Sequence, residues 1–186
     1  MGFVLICAIM VRSGKEHHTK NELKEHVLAP NEKIYVPVYN KRIKDNFVDF
    51  IQEHESVLIP GYVFIETDDD KGFEDRFLAA GRNHKIFSSG RILKNKDDNN
   101  ILRLSDDEER VFKSLMEGGE NVGPSYGYLI DDRVVVTDGP LKGREGDIVK
   151  LDRVHDKVIL RMTIGGDEMK VKFVFHDISR KKKEDE

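Results

Sequence analysis

The 186-residue chain has no tryptophan and a single cysteine, Cys7. One cysteine rules out a disulfide framework within the chain and any zinc site built on several thiolates. Long hydrophobic runs are missing too. The most apolar segment, FVLICAIMV at residues 3–11, is far shorter than the roughly 18 residues a membrane-spanning helix requires. No basic segment precedes it and no small-residue cleavage site follows, so it reads as a buried strand rather than a secretion signal. The expectation is a cytoplasmic protein with no membrane partner. An excess of one charge is also lacking. The formal net charge of −4 gives no global attraction for a nucleic acid. Residues 1–129 carry 18 basic and 22 acidic side chains, and residues 130–186 carry 13 of each, so any basic face must be local.

Catalytic patterns are absent as well. The stretch DDRVVVTDGPLKGREGD (131–147) invites comparison with a phosphate-cradling loop, which needs GxxxxGK and then Ser or Thr ahead of a helix. Here Gly139 and Gly143 stand too close together, and Gly146 leads into Asp147 and a β-branched strand, so no helix N-terminus faces an anion. The stretch fits instead a strand, a turn, and a second strand that bends at Gly146 as a small barrel closes. His17 and His18 are adjacent and would point about 100° apart on a helix. His26, His54, His84, His155 and His176 are scattered, with no HExxH pattern. Cys7 sits in an apolar strand, where an inert core thiol is expected. The acids at 68–70 and 106–107 fall in turns and at a helix start, where solvation or the helix dipole accounts for them. No catalytic residue, metal or cofactor is expected, and the protein is read as a non-enzyme.

Hydrophobic residues at 38% and charged residues at 35% suit moderate cores in one large or two small domains. Strands are predicted at 3–11, at 32–40 (interrupted by Pro37) and at 57–67, with a bulge or kink at Pro60-Gly61, and a short one at 84–90. Helices are predicted at 15–28, at 73–81 with Gly81 as the residue after the last turn, and from Ser105, where Glu108 three residues on makes a capping box. Residues 41–56 read as a long hairpin or inserted loop. This order implies an α+β sandwich with one antiparallel sheet over residues 1–116. Residues 117–127, rich in glycine, read as a flexible linker. Residues 128–180 show short alternating strands suited to a small β-barrel, and 181–186 are a charged tail expected to be disordered.

Within PGYVFIE, period-two alternation puts Tyr62 and Phe64 on one face and Val63 and Ile65 on the other. The aromatic pair is either covered by a helix or exposed as a partner-binding patch.

LIPGYVFIE after a mixed hairpin, a glycine-flanked linker, and VVVTDGPLKGREGDIV together resemble NusG-type transcription elongation factors over nearly the whole chain. The resemblance implies an N-terminal NGN domain and a C-terminal KOW barrel, with Gly146 at the characteristic KOW glycine. It further implies that Tyr62 and Phe64, with Phe87 and Met10, bind the clamp helices of RNA polymerase through an apolar pocket. The chain departs from the housekeeping pattern, having Phe3-Val4 where an aromatic pair is usual. It is most similar to the LoaP group of specialised paralogs, processive antiterminators that recognise an RNA hairpin in nascent leader transcripts. That similarity implies RNA binding by the barrel, for which Lys142, Arg144, Arg153, Lys157 and Arg161 are candidates; ordinary solvated barrel residues are the alternative reading. Non-template DNA is a further implied partner, and the protein is expected to be a monomer. The rival within the family is a housekeeping factor whose barrel binds Rho or a small-subunit ribosomal protein.

Overall fold

A computed structural model describes residues 4–44, 51–83, 90–131 and 133–179. The chain divides into two compact units: residues 1–36 with 59–111, and residues 37–58 with 112–186.

The first unit is built on a four-stranded sheet. Its strands are β1 (Leu5–Met10), β2 (Lys33–Tyr35), β5 (Tyr62–Thr67) and β6 (Arg91–Ile92), in the order β2-β5-β1-β6. β1 pairs antiparallel with β5, Cys7 opposite Ile65 and Met10 opposite Tyr62. The predicted apolar run is therefore a central strand, and Leu5 to Ile9 are all buried. Helices α1 (Glu16–His26) and α2 (Asp70–Asn83) flank this sheet. Phe73, Phe77 and Ala80 recur at helical spacing and are buried. Phe77 reaches the Ile9 side of β1, since a methyl added at Gly90 would touch both side chains at 3.8 Å. α2 runs on through Gly81, where the sequence predicts a stop, and ends at Asn83. The short strand predicted at 84–90 lies outside the described residues except for Gly90. α3 (Asp106–Leu115) starts as predicted: the Ser105 N–H donates to Glu108 Oε2 at 2.8 Å and the Glu108 N–H to Ser105 Oγ at 3.3 Å.

Two buried carboxylates hold this unit's turns. Glu16, only 1% exposed, accepts the Gly14 N–H at 2.8 Å and the Gly61 N–H at 2.7 Å. It thereby ties the turn after β1 to the turn before β5. Glu32 accepts from Thr67 Oγ1, from the Ala29 N–H and from Arg76 Nη2, and Arg76 also donates to the Val27 carbonyl. Glu16→Ala would strand two backbone donors and remove a charge-assisted pair of bonds. It is expected to cost about 2–4 kcal/mol in urea unfolding; a variant as stable as the parent would show that Glu16 is not the clamp.

The second unit contains a hairpin, β3 (Val38–Lys44) with β4 (Ile51–Val57), and a five-stranded sheet. The sheet strands are β7 (Ser125–Ile130), β8 (Arg133–Asp138), β9 (Ile148–Asp152), β10 (Lys157–Ile164) and β11 (Asp167–Asp177), in the order β8-β7-β11-β10-β9. All neighbours are antiparallel except β7 and β11, which pair in parallel over Ser125–Gly127 and Phe175–Asp177. Val158, Leu160, Met162 and Ile164 alternate inward from β10, facing Val171, Phe173 and Phe175 of β11 in the core.

The predicted barrel takes the form of a curled sheet whose edges are β8 and β9. The 139–147 segment fills in beside those edges. Leu141, fully buried, donates its N–H to Ser125 Oγ at 3.0 Å, and Glu145 Oε1 accepts the Val136 N–H of β8 at 3.2 Å. Gly146 lies in a short 3-10 turn, Glu145–Asp147, rather than at a bent strand.

Residues 117–127, read from sequence as a linker, make specific contacts. The Val38 N–H donates to the Glu120 carbonyl at 2.8 Å and the Val122 N–H to the Val38 carbonyl at 2.7 Å. Val122 is buried, and β7 begins at Ser125. Glycine content signalled a break in periodicity there, but short backbone ladders carry no side-chain pattern for a sequence to show.

Candidate functional site

Two surfaces carry the residues singled out from the sequence. The first lies at one end of the four-stranded sheet. Arg91, Met10 and Tyr62 occupy one cross-strand row, so their side chains share a face. Met10 and Tyr62 are half-buried, and Arg91 is exposed with its guanidinium 3.6 Å from the Met10 sulfur. Phe64 stands on the same face, stacked on Tyr62 with ring centroids 6.3 Å apart. It is 0% exposed, however, as are Val63 and Ile65. Both faces of central β5 are thus buried, and Phe64 is a core ring rather than half of an exposed aromatic patch. Phe87 lies outside the described residues. What remains open is a small amphipathic row of Met10, Tyr62 and Arg91. Arg91 was not anticipated, because its strand is two residues long and shows no alternation.

Cys7 is buried, and burial, reinforced by the carboxylates of Asp70 and Glu32, pushes its thiol from 9.0 up to about 12. The thiolate is the reactive form. At pH 8 the native thiol should therefore resist a disulfide reagent such as Ellman's, reacting only on unfolding. The sign for stability follows from linkage: the unfolded chain loses this proton first, so native stability should erode as pH rises from about 9 towards 12. Rapid labelling of the folded protein at pH 8 would contradict the assignment.

A polar cleft of about 620 Å³ opens between the first turns of α2 and the 94–103 segment. Two of its acids are ion-paired, Asp70 to Arg103 and Glu74 to Lys94, and Asn100 bonds Asp98. Nothing there converges on a ligand.

The second surface is on the curled sheet, where the five predicted RNA-binding residues are spread over the 139–147 segment, the β9–β10 turn and β10. Lys142 is exposed in the turn after β8. Arg144 is committed locally, its Nε and Nη2 both reaching Asp147 Oδ2 at 2.9 and 2.8 Å. Arg153 is exposed in the β9–β10 turn. Beside it, hydrogen bonds from His155 hold the Asp152 carboxyl below its ordinary value. Lys157 lies over the Tyr39 ring of β3, its ammonium 5.6 Å from the centroid.

Arg161 is exposed on the outer face of β10, directly opposite Lys170 of β11. One row along, Ile159 is flanked by Lys150 of β9 and Lys172 of β11. Lys150, Lys170 and Lys172 are exposed and are not among the residues the sequence singles out. Their signal was nevertheless present: strict alternation in MKVKFVF puts Lys170 and Lys172 opposite the buried Val171 and Phe173.

The sequence matches no protein-family model and no curated protein. Among solved structures, that described as "Domain interaction in Thermotoga maritima NusG" superposes with a TM-score of 0.51 at 18% identity, covering 92% of this chain and 94% of that one. The fold is NusG-like. The mixed α+β architecture, a four-stranded sheet with helices and a separate curled five-stranded sheet, is consistent with the NGN-plus-KOW fold class that the sequence resemblance implies. Among the described residues no helix is long and apolar enough to cross a membrane.

Proposed function

We propose that the protein is a NusG-type transcription elongation factor of the LoaP kind, a processive antiterminator that rides on RNA polymerase and engages a hairpin of the nascent RNA. The observation that carries this is the likeness to a NusG over 92% of the chain, which takes in both units rather than one shared module. Met10 and Tyr62, with Arg91 beside them, are the proposed polymerase contacts. An apolar row with a polar rim suits a hydrophobic groove on a partner. Lys142, Arg153 and Arg161 are the proposed RNA contacts on the barrel; Arg144 is the weakest of the original candidates because its guanidinium is already bonded. Lys157 contributes through its charge at the β3 side. Non-template DNA, a cytoplasmic location and a monomeric state are proposed with this reading, as is non-enzymatic action. The mechanism is a population shift: binding energy spent on one polymerase conformation lowers the occupancy of the paused one.

Multi-round transcription with purified polymerase tests this, on a template that encodes the leader preceding the protein's target genes and then an intrinsic terminator. Read-through should rise with added protein and require the leader hairpin. Unchanged termination would overturn the proposal, and enhanced termination with Rho would assign the housekeeping role instead.

A further inference from the structure

The outer face of β9, β10 and β11 concentrates charge that the chain as a whole does not have. Four cations, Lys150, Arg161, Lys170 and Lys172, occupy two adjacent cross-strand rows. Successive outward positions along a strand are about 6.6–7 Å apart and neighbouring strands about 4.8 Å, so these side chains occupy one patch. An acid stands at each end of the patch. Glu168 is 3.7 Å from Arg161 with both groups more than half exposed, a geometry that is worth little and exchanges readily. Asp152 is in the next row, opposite Lys157 and bonded to His155. Half-buried Ile159 lies between Lys150 and Lys172. Such like-charge crowding on a sheet is unfavourable in isolation. Against a net charge of −4, four cations in two adjacent rows make a local basic patch that the total does not show.

We infer that this face is a docking surface for the phosphate backbone of the RNA, with Lys150, Lys170 and Lys172 joining Arg161 as backbone contacts. The inference rests on the RNA-binding reading above and goes further, moving the main electrostatic contact from the turns to the sheet. Charge complementarity selects the occupant: exposed lysines are point charges on flexible stems, suited to phosphates and poor at reading base edges. The face therefore supplies affinity and register, while the turn arginine Arg153 is left to discriminate sequence.

The test uses the full chain and two probes, a mixed-sequence single-stranded RNA of about 20 nucleotides and a bulged hairpin, titrated over a range of salt concentrations. The triple variant Lys150→Gln, Lys170→Gln, Lys172→Gln changes only exposed positions, and its circular dichroism is checked against the parent. Three lost phosphate contacts should weaken both probes about tenfold or more at low salt and make the log–log salt slope shallower by about two. Arg153→Ala serves as the contrast, changing preference between the probes more than the slope. If the parent binds RNA and the triple variant binds both probes with unchanged slope, the face inference is overturned while RNA binding stands. If the parent binds neither probe, the RNA-binding reading itself falls, and this inference with it. A triple variant that keeps RNA affinity but loses polymerase would mark the face as a protein interface, which also overturns the inference.

Discussion

Phe64→Ala is expected to destabilise the first unit by about 3–5 kcal/mol, the range for emptying a buried aromatic site, and so to take much of the 5–15 kcal/mol typical of a domain. The ring is 0% exposed and lies on the central β5 between the Ala8 and Tyr35 positions of its neighbours. Tyr62→Ala, two residues away and half-buried at the sheet's end, should leave the fold standing and weaken polymerase binding by roughly 1–3 kcal/mol if it is an interface anchor. Denaturant midpoints of the two single variants separate the roles that a double variant would confound. A Phe64→Ala protein with parental stability would contradict the core assignment.

The second large effect is expected at the turn after β8. Gly139 has φ +95°, and a methyl placed on it would sit 2.5 Å from the Pro124 carbonyl oxygen and 2.6 Å from the Ser125 Cα. Both obstacles are backbone, so a rotamer change cannot relieve them. Left-handed strain and the clash together should cost on the order of 2–5 kcal/mol in Gly139→Ala. The same contact seats Leu141 in the barrel core through its bond to Ser125, so loss of the turn should loosen the whole curled sheet. Gly146→Ala is the control: nothing lies within 4 Å of its added methyl, and its φ is not left-handed. That change should shift the thermal midpoint hardly at all. Equal destabilisation by the two substitutions would contradict the packing argument, and a Gly146→Ala protein that folds normally but fails in transcription would assign that glycine to a partner contact.

The sequence made the outline legible where burial and period coincide. FVLICAIMV read as a buried central strand, which Leu5–Met10 forms, and Ser105 with Glu108 marked the start of α3. Alternation over 158–164 and 171–175 displayed the barrel's inner face. What stayed hidden has physical reasons. Whether Phe64 was covered or exposed stayed open because alternation reports two faces but not which of them is covered, and on β5 both are. Gly139 rather than Gly146 is the sterically demanded glycine, which follows from the approach of Pro124 and Ser125 across the fold, a contact between residues about 15 apart. Arg144 looked available until Asp147, three residues on, claimed its fork. The cationic sheet face depended on the register of three strands: Lys150 and Lys172 fall in one cross-strand row only because both lie opposite Ile159.

Retention of core RNA polymerase by the immobilised full chain, followed with Tyr62→Ala and Met10→Ala at matched folded content, tests the central claim most directly. The account predicts saturable retention at about one protein per polymerase, weakened at least several-fold by each substitution in keeping with interface truncation. Absence of retention by the parent protein, or retention that both variants leave unchanged, would contradict it.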